Sequence, residues 1–416
     1  KLKFGRLSIQ EILLFLFWPF AALIYGLKQY KSPKAMTLFW FFCIYFGFSF
    51  VIPENISGAA DSARYAAKLE ALHNEPVSFN QLTELLYSKE SGMVDIYQPL
   101  LTWLVSLFTG NASILFAIYA AVFGFFYAKN TWMILSRIDK IDSILLFLFI
   151  IGFVLINPIW NINGVRMWTA AQIFIYGTLR IFLEGKKSGW FWVGTSVFVH
   201  FSFTFPVALL ILFRFLPLNL AILFLFFFFT LTIAEIDLKV VKNLLAVLPD
   251  FLQGRVAGYT NDDYTTGIKS AVDNYSWHVV LANQSLKWIK IFWILILFVF
   301  KKQWIVENPL VMKIFGLALF IGGFANITSL IPSGGRFSLL ANVLFFAVFT
   351  LLVSKDYFKN IQILKRVTIP FLAFSILFNV RMGLDYMGFT AIFGNPLIAA
   401  FVDAQMPLID FVKWLF

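Results

Sequence analysis

GWFWVGTSVFVHFSFTFPVALLILFRFL, residues 189–216, decides how often the chain crosses a membrane. The stretch is longer than the ~20 residues a spanning helix needs, and it carries a histidine, His200, in its middle. Basic residues bracket it: EGKK at 184–187 before, and KK at 301–302 after two further apolar runs, 218–234 and 287–303. Lys and Arg collect on the cytoplasmic face of membrane proteins, so both loops belong inside and an even number of crossings must lie between them. Taken as one span, 189–216 leaves that number odd; broken into two short helices, it makes it even. Pro206 marks the place to break, since proline disrupts a helix and restrains the residue before it. The turn HFSFTFP then lies toward the outer face, Arg214 falls inside and the loop 235–285 falls outside. His200 caps a short helical hairpin beside a polar cavity, where irregular backbone at membrane depth is tolerated.

The rest of the chain fits that setting. Of its 416 residues 60% are hydrophobic, 53 are Phe and only 13% are charged, more apolar surface than a soluble core can hide. The apolar residues come in long runs without strand-like alternation. These properties predict an all-α polytopic integral membrane protein, one domain over 1–416, with about 11–13 transmembrane or re-entrant helices. Spans are expected over 7–27, 36–52, 112–134, 142–157, 164–183, the two halves of 189–216, 218–234, 287–303, 309–330, 336–354 and 367–384. The segment 96–108 is short for a span and is expected to be re-entrant or interfacial. The first apolar stretch lacks a small-residue cleavage site and is expected to be a retained anchor. The net charge of +11 orients loops and is not a nucleic-acid signal. The single cysteine, Cys43, lies in an apolar run and is expected to be a buried thiol. The acidic loop 53–96 is placed outside. One conflict arises at the start: Lys1, Lys3 and Arg6 come out external, unless the first segment, broken at Pro19, does not simply cross.

On the outer side several polar groups gather at one level. GAADSARYAAKLE (58–70) sets Asp61, Arg64, Tyr65 and Lys68 at helical spacing. WNINGVRMWTAAQ (160–172) brings Asn161, Asn163 and Arg166 to a helix start, with Gln172 deeper. HFSF adds His200 and Ser202. SLIPSGGRFSLLAN (329–342) has a Ser-Gly-Gly turn followed by Arg336. The loop 235–285 contributes Arg255, the Asp262-Asp263 pair and His278, and NVRMGLDY (379–386) contributes Arg381 and Asp385. Each has a bland reading. A lone buried histidine is as often a hydrogen-bonded core residue as a base, arginines at helix ends anchor at headgroups, and Asp61–Arg64 at i,i+3 is an ordinary surface pair. Taken together, arginines converging with one histidine on one side of hydrocarbon helices suit phosphate or pyrophosphate and proton transfer. The sequence holds no HExxH box, paired-Cys motif, phosphate loop or nucleotide-binding domain, so no metal, cofactor or ATP is expected.

The order of these motifs, DSARY (61–65), NGVRMWTAA (163–171), HFS (200–202) and GGRFSLLANVLFF (334–346), resembles the EpsG-like branch of the Wzy-type polysaccharide polymerases over roughly residues 35–355. The resemblance implies a bacterial inner-membrane glycosyltransferase of GT-C-like architecture with an outward-facing cavity. Its substrates would be polyprenyl-pyrophosphate-linked oligosaccharide donor and acceptor within membrane lipid, with a chain-length regulator as protein partner and no nucleic acid. The external loops 53–111 and 235–286 would form part of the cavity. Arg166, Arg336 and Arg255 are assigned to pyrophosphate. His200 is assigned as base, with Asp61 as second choice, or else orienting Arg64 or holding the acceptor. Arg64, Tyr65 and Asn163 are assigned to glycan. A lipid-linked glycan flippase would use the same arginines without a base, a membrane O-acyltransferase would also use a buried histidine, and an O-antigen ligase differs only in acceptor.

Overall fold

The computed structural model describes residues 3–53, 61–86, 94–236, 238–245, 276–300, 307–355, 357–358, 361–401 and 406–415. Arg255 and the Asp262-Asp263 pair lie outside these residues. Among them every named element is helical. In chain order the α-helices are α1 (Ile9–Phe17), α2 (Pro19–Lys28), α3 (Pro33–Phe48), α4 (Asp61–Asn74), α5 (Phe79–Leu85), α6 (Tyr97–Ser106), α7 (Ala112–Leu135), α8 (Ile144–Leu155), α9 (Val165–Glu184), α10 (Gly189–Val199), α11 (Thr204–Phe215), α12 (Leu220–Thr230), α13 (Leu238–Leu245), α14 (Trp277–Val299), α15 (Pro309–Thr328), α16 (Ser338–Val353), α17 (Gln362–Gly383), α18 (Phe389–Phe393), α19 (Pro396–Phe401) and α20 (Leu408–Trp414). Six apolar helical stretches are long enough to cross a bilayer: Ala112–Leu135, Ile144–Glu184, Trp277–Val299, Pro309–Thr328, Gly334–Val353 and Gln362–Gly383. Four shorter apolar helices accompany them, α3, α10, α12 and the stretch Phe201–Phe215. This is a multi-pass membrane protein.

The opening stretch does break in two, but at His200 and not at Pro206. His200 takes an extended conformation (φ −149°, ψ 114°), a 3-10 turn covers Phe201–Phe203, and α11 starts at Thr204. Pro206 thus sits in the first turn of α11, where its missing N–H is no loss because the first amides of a helix have no intrahelical partner. The two arms lie against α9: Gly189 against Gly177, Phe203 against Phe174 at 5.9 Å, and Phe213 against Phe182 at 6.3 Å. One arm therefore rises along α9 and the other returns. Each is about 16–18 Å long at 1.5 Å per residue, too short to cross a ~30 Å hydrocarbon core by itself.

The N-terminus resolves the charge conflict in the same way. Ser8 caps α1 in a capping box with Glu11, and Glu11 is held by Lys34 at 3.0 Å. The chain climbs to Trp18, whose indole donates to the Ile392 carbonyl at 2.7 Å. It turns at Pro19 and returns along α3, with Phe20 against Phe42 and Gly26 against Leu38 and Ala35. Lys3, Arg6 and the basic loop 28–34 therefore share one end of the bundle, and the first segment is a hairpin.

At that basic end the loops also contact one another. The Trp132 indole donates to the Tyr30 carbonyl at 2.8 Å, Arg137 to the Leu183 carbonyl at 3.1 Å, and the Asn308 amide to the Tyr357 hydroxyl at 2.8 Å. The opposite end gathers 49–53, α4–α6, 156–164, 200–203, 329–337 and 383–388. There the Val51 amide donates to the Tyr386 carbonyl at 3.0 Å, and Phe337 packs on Phe203 and Phe205. The span expected over 287–303 begins ten residues earlier, at Trp277.

Between α8 and α9 the chain folds back through an irregular stretch, 156–164. Amide side chains brace it against α7 and α9. Asn130 donates to the Gln172 side chain at 2.7 Å, Gln172 to the Asn157 carbonyl at 2.9 Å, and Asn157 to the Trp168 carbonyl at 3.0 Å. Buried polar backbone at membrane depth needs such partners, and this ladder fixes where α9 starts.

Candidate active site

The residue that organises the site is Asp95, on the short link before α6. Its side chain is 2% exposed. Oδ2 accepts from Arg166 Nη1 at 2.9 Å and from His200 Nδ1 at 2.9 Å, while Oδ1 accepts the Phe201 amide at 2.7 Å. The Ile96 amide donates to the Phe198 carbonyl at 3.2 Å, pinning the link to the top of α10. Asp95 caps the turn after His200 from a distant part of the chain. It satisfies an amide that a helix start leaves unpaired, which is a physical reason for the break at His200. Burial opposes ionisation of Asp95, but the His200 hydrogen bond and charge, the Phe201 amide and Arg166 outweigh it and hold its pKa at about 2. Asp95 is therefore a carboxylate at neutral pH.

With Nδ1 donating to Asp95, the His200 ring presents Nε2 as an acceptor. No described residue hydrogen-bonds Nε2, and the side chain keeps 13% exposure. A buried carboxylate orienting a histidine whose second nitrogen faces open space is the arrangement used to take a proton from a hydroxyl. Arg166 spends Nη1 on Asp95 and keeps its other N–H groups, with 25% of its side chain exposed. The buried Tyr65 hydroxyl faces the Arg166 guanidinium without meeting hydrogen-bond geometry. The Tyr65 ring meets Tyr119 edge-on at 6.1 Å. Lys68, half-buried one turn further along α4, is pushed below the usual lysine range by burial and by Arg166.

Asp61 forms an ion pair with the exposed Arg64. Its Oδ2 lies beside Gly164, 3.6 Å from where a Cβ would stand. Asn163 accepts the Ser62 amide at 3.4 Å and donates to the Tyr386 hydroxyl at 3.4 Å, tying α4 to the start of α9. Asp61, Arg64, Tyr65, Asn163, Arg166 and His200 thus lie at one end, around Asp95. Arg336 lies apart from that cluster: among the described residues no hydrogen bond or ion pair joins them. It is exposed on the 3-10 turn Gly334–Phe337 and lines a cavity of about 230 Å3 with Trp168, Ser338, Asn342 and Asn379. Trp168 and the Phe203–Phe337 contact are what connect it to the His200 side. Gly334 is required there, since a Cβ would fall 2.0 Å from the Thr328 carbonyl. A second cavity of about 320 Å3 shares Ser338 and Asn342 and adds Lys287 and Lys290; Lys290 donates to Asn342 at 3.0 Å. His278 is exposed at the start of α14 beside Ser276, and Arg381 pairs with Asp385 at 2.6 Å on the surface. Among the described residues no group of three His, Cys, Asp or Glu comes together to hold a metal ion.

An aspartate, a histidine and an arginine from three separated stretches meet at one end of a membrane bundle, next to DSARY. Residues 38–391 match the EpsG family. The chain belongs to the EpsG family. The match covers most of the chain, from α3 to α18, and includes all four motifs on which the resemblance rests. No curated protein and no solved structure matches this EpsG-family chain at a significant level. Asp95 is the member of this cluster that the sequence did not single out. It stood in the acidic loop and counted only toward that loop's charge. The available signal was local: in MVDIYQPLL it is a lone acid flanked by apolar residues just before a helix.

Proposed function

We propose that the protein is a glycosyltransferase that polymerises polyprenyl-pyrophosphate-linked oligosaccharide repeat units at the outer face of the bacterial inner membrane. The observation that carries this reading is the Asp95–His200–Arg166 cluster in a family of membrane proteins that the sequence motifs resemble as polysaccharide polymerases. The positive-inside rule supports a cytoplasmic basic end and an outer site end, the orientation of a GT-C-like bundle with an outward-facing cavity.

In the reaction, His200 Nε2 takes the proton of the acceptor hydroxyl as its oxygen bonds to the donor's anomeric carbon. The bond from that carbon to the pyrophosphate oxygen breaks, and lipid pyrophosphate leaves with the electron pair. Asp95 holds the ring in the right tautomer and stabilises the imidazolium that forms. Arg166 and Arg336 face the charge that develops on the leaving group, Arg336 from its own cavity. Tyr65 backs Arg166, and Asp61 with Arg64 and Asn163 borders the glycan path. The activated leaving group makes ATP unnecessary.

His200→Gln keeps a hydrogen-bonding group and removes one that accepts a proton near neutral pH. Polymer formation is expected to fall on the order of 10²–10⁴-fold, with binding of the lipid-linked donor retained. Near-parent turnover in that variant contradicts the assignment of the base.

A further inference from the structure

We propose that the basic end carries a binding site for a phosphate-bearing anion presented by a lipid headgroup. A cavity of about 310 Å3 opens there between α7, α9 and the N-terminal segment, far from the His200 cluster along the bundle. Its lining includes Lys3, Lys129, Tyr176, Arg180, Glu184 and Lys186, four cations against one carboxylate. That carboxylate is shared: Glu184 Oε2 meets Lys186 at 2.7 Å and Arg180 Nε at 3.3 Å.

Cations that only orient a membrane protein sit on solvated loops. Two of these four, Lys129 and Arg180, do not. Lys129 is 7% exposed on α7, with its ammonium 4.4 Å from the centre of the Phe4 ring. The Arg180 side chain is 18% exposed and lies on Tyr176, donating to its hydroxyl at 3.3 Å. Four cations around one shared carboxylate leave the cavity net positive, and positive charge at this depth favours an anion beside it. Arginine and lysine that converge with a tyrosine hydroxyl suit phosphate oxygens. The cavity adjoins Gly185–Ser188, where α9 ends, so it lies at the level of headgroups. Basic pockets between helices on that side bind anionic headgroups. Tyr176 is braced by Phe126 and Trp192, which fixes the ring at the cavity. The site is independent of the catalytic reading and would persist if that reading failed.

The test is a titration of the purified full chain in detergent with phosphatidylglycerol, phosphatidylcholine and inorganic pyrophosphate, read as thermal stability and by native mass spectrometry. Phosphatidylglycerol is expected to bind and raise the melting temperature, and phosphatidylcholine to do neither. Lys129→Met keeps the stem on Phe4 and removes the charge; Lys3→Gln removes a charge at an exposed position. Each is expected to raise the phosphatidylglycerol half-saturation about fivefold. Equal effects of the two lipids overturn the proposal, as do parent-like curves in both variants. A full response to pyrophosphate alone, with nothing added by the lipid, overturns the lipid source.

Discussion

At the scale of single residues, Asp95 links stability to chemistry. Its carboxyl is held at about 2 in the folded protein against ~3.9 in an unfolded chain. A depressed pKa contributes stability that is fully present above the unfolded value and lost as pH falls toward the folded one. Asp95 therefore adds about 3 kcal/mol at neutral pH, lost between roughly pH 4 and pH 2. Asp95→Asn is expected to insert but melt lower at pH 7, and to lose the part of the acid sensitivity that falls in that window. It also removes the anion that fixes the His200 tautomer, so turnover should drop on the order of 10²–10⁴-fold. Thermal melts from pH 7 to pH 3 beside turnover assays check both; a variant with parent-like turnover makes Asp95 a plug and not a partner of the base. His200 and Arg166 were legible in the sequence because each is polar in an apolar run. Asp95 was not, because it counted with the 53–96 loop and its partners lie 71 and 105 residues away in sequence. Only the fold brings that carboxylate under the histidine.

At the scale of elements, the hairpin α10–α11 aims His200. Its existence was legible from the parity of basic loops, and its position was misplaced by a few residues. Proline suggested the break, yet the first turn of a helix accepts proline, while an extended His200 and the Asp95 cap fix where the chain turns. The rising arm depends on a close crossing with α9. A Cβ at Gly177 would come 2.6 Å from the Gly189 carbonyl and 2.8 Å from Val193. Gly177→Val is therefore expected to push α10 off α9, cost about 1–3 kcal/mol and take His200 out of reach of Asp95. Gly194, on the same arm, has open space at its Cβ, so Gly194→Ala should leave activity unchanged. Parallel melts and turnover of the two variants decide the point: a Gly177→Val protein with parent-like turnover means the site does not need this crossing. The N-terminal hairpin was half legible. Pro19 signalled the break, but the pairing of Glu11 with Lys34 that closes it is a contact across the intervening helix and has no local signature.

At the scale of the whole molecule, the two ends differ in kind. One gathers Lys3, Arg6, the 28–34 loop and Lys186, and the other gathers the Asp95 cluster. Single cysteines at Ser78 and Ser188, both exposed and at opposite ends, are expected to label oppositely with an impermeant thiol reagent on intact cells. Native Cys43 gives no background, being 1% exposed. Labelling of both from outside contradicts the orientation. The class of fold was open to sequence because long apolar runs have few alternatives in lipid. The cavity beside Arg336 was not, because it forms among α8, α14, α16 and α17, which are distant in sequence. The central claim, that this bundle joins lipid-linked repeat units with a histidine base and a pyrophosphate leaving group, is tested most directly by reconstituting the purified protein with a polyprenyl-pyrophosphate-linked repeat unit and no nucleotide. A ladder of products differing by one repeat, absent with His200→Gln, is the predicted result; no elongated product from protein that still binds the donor contradicts it.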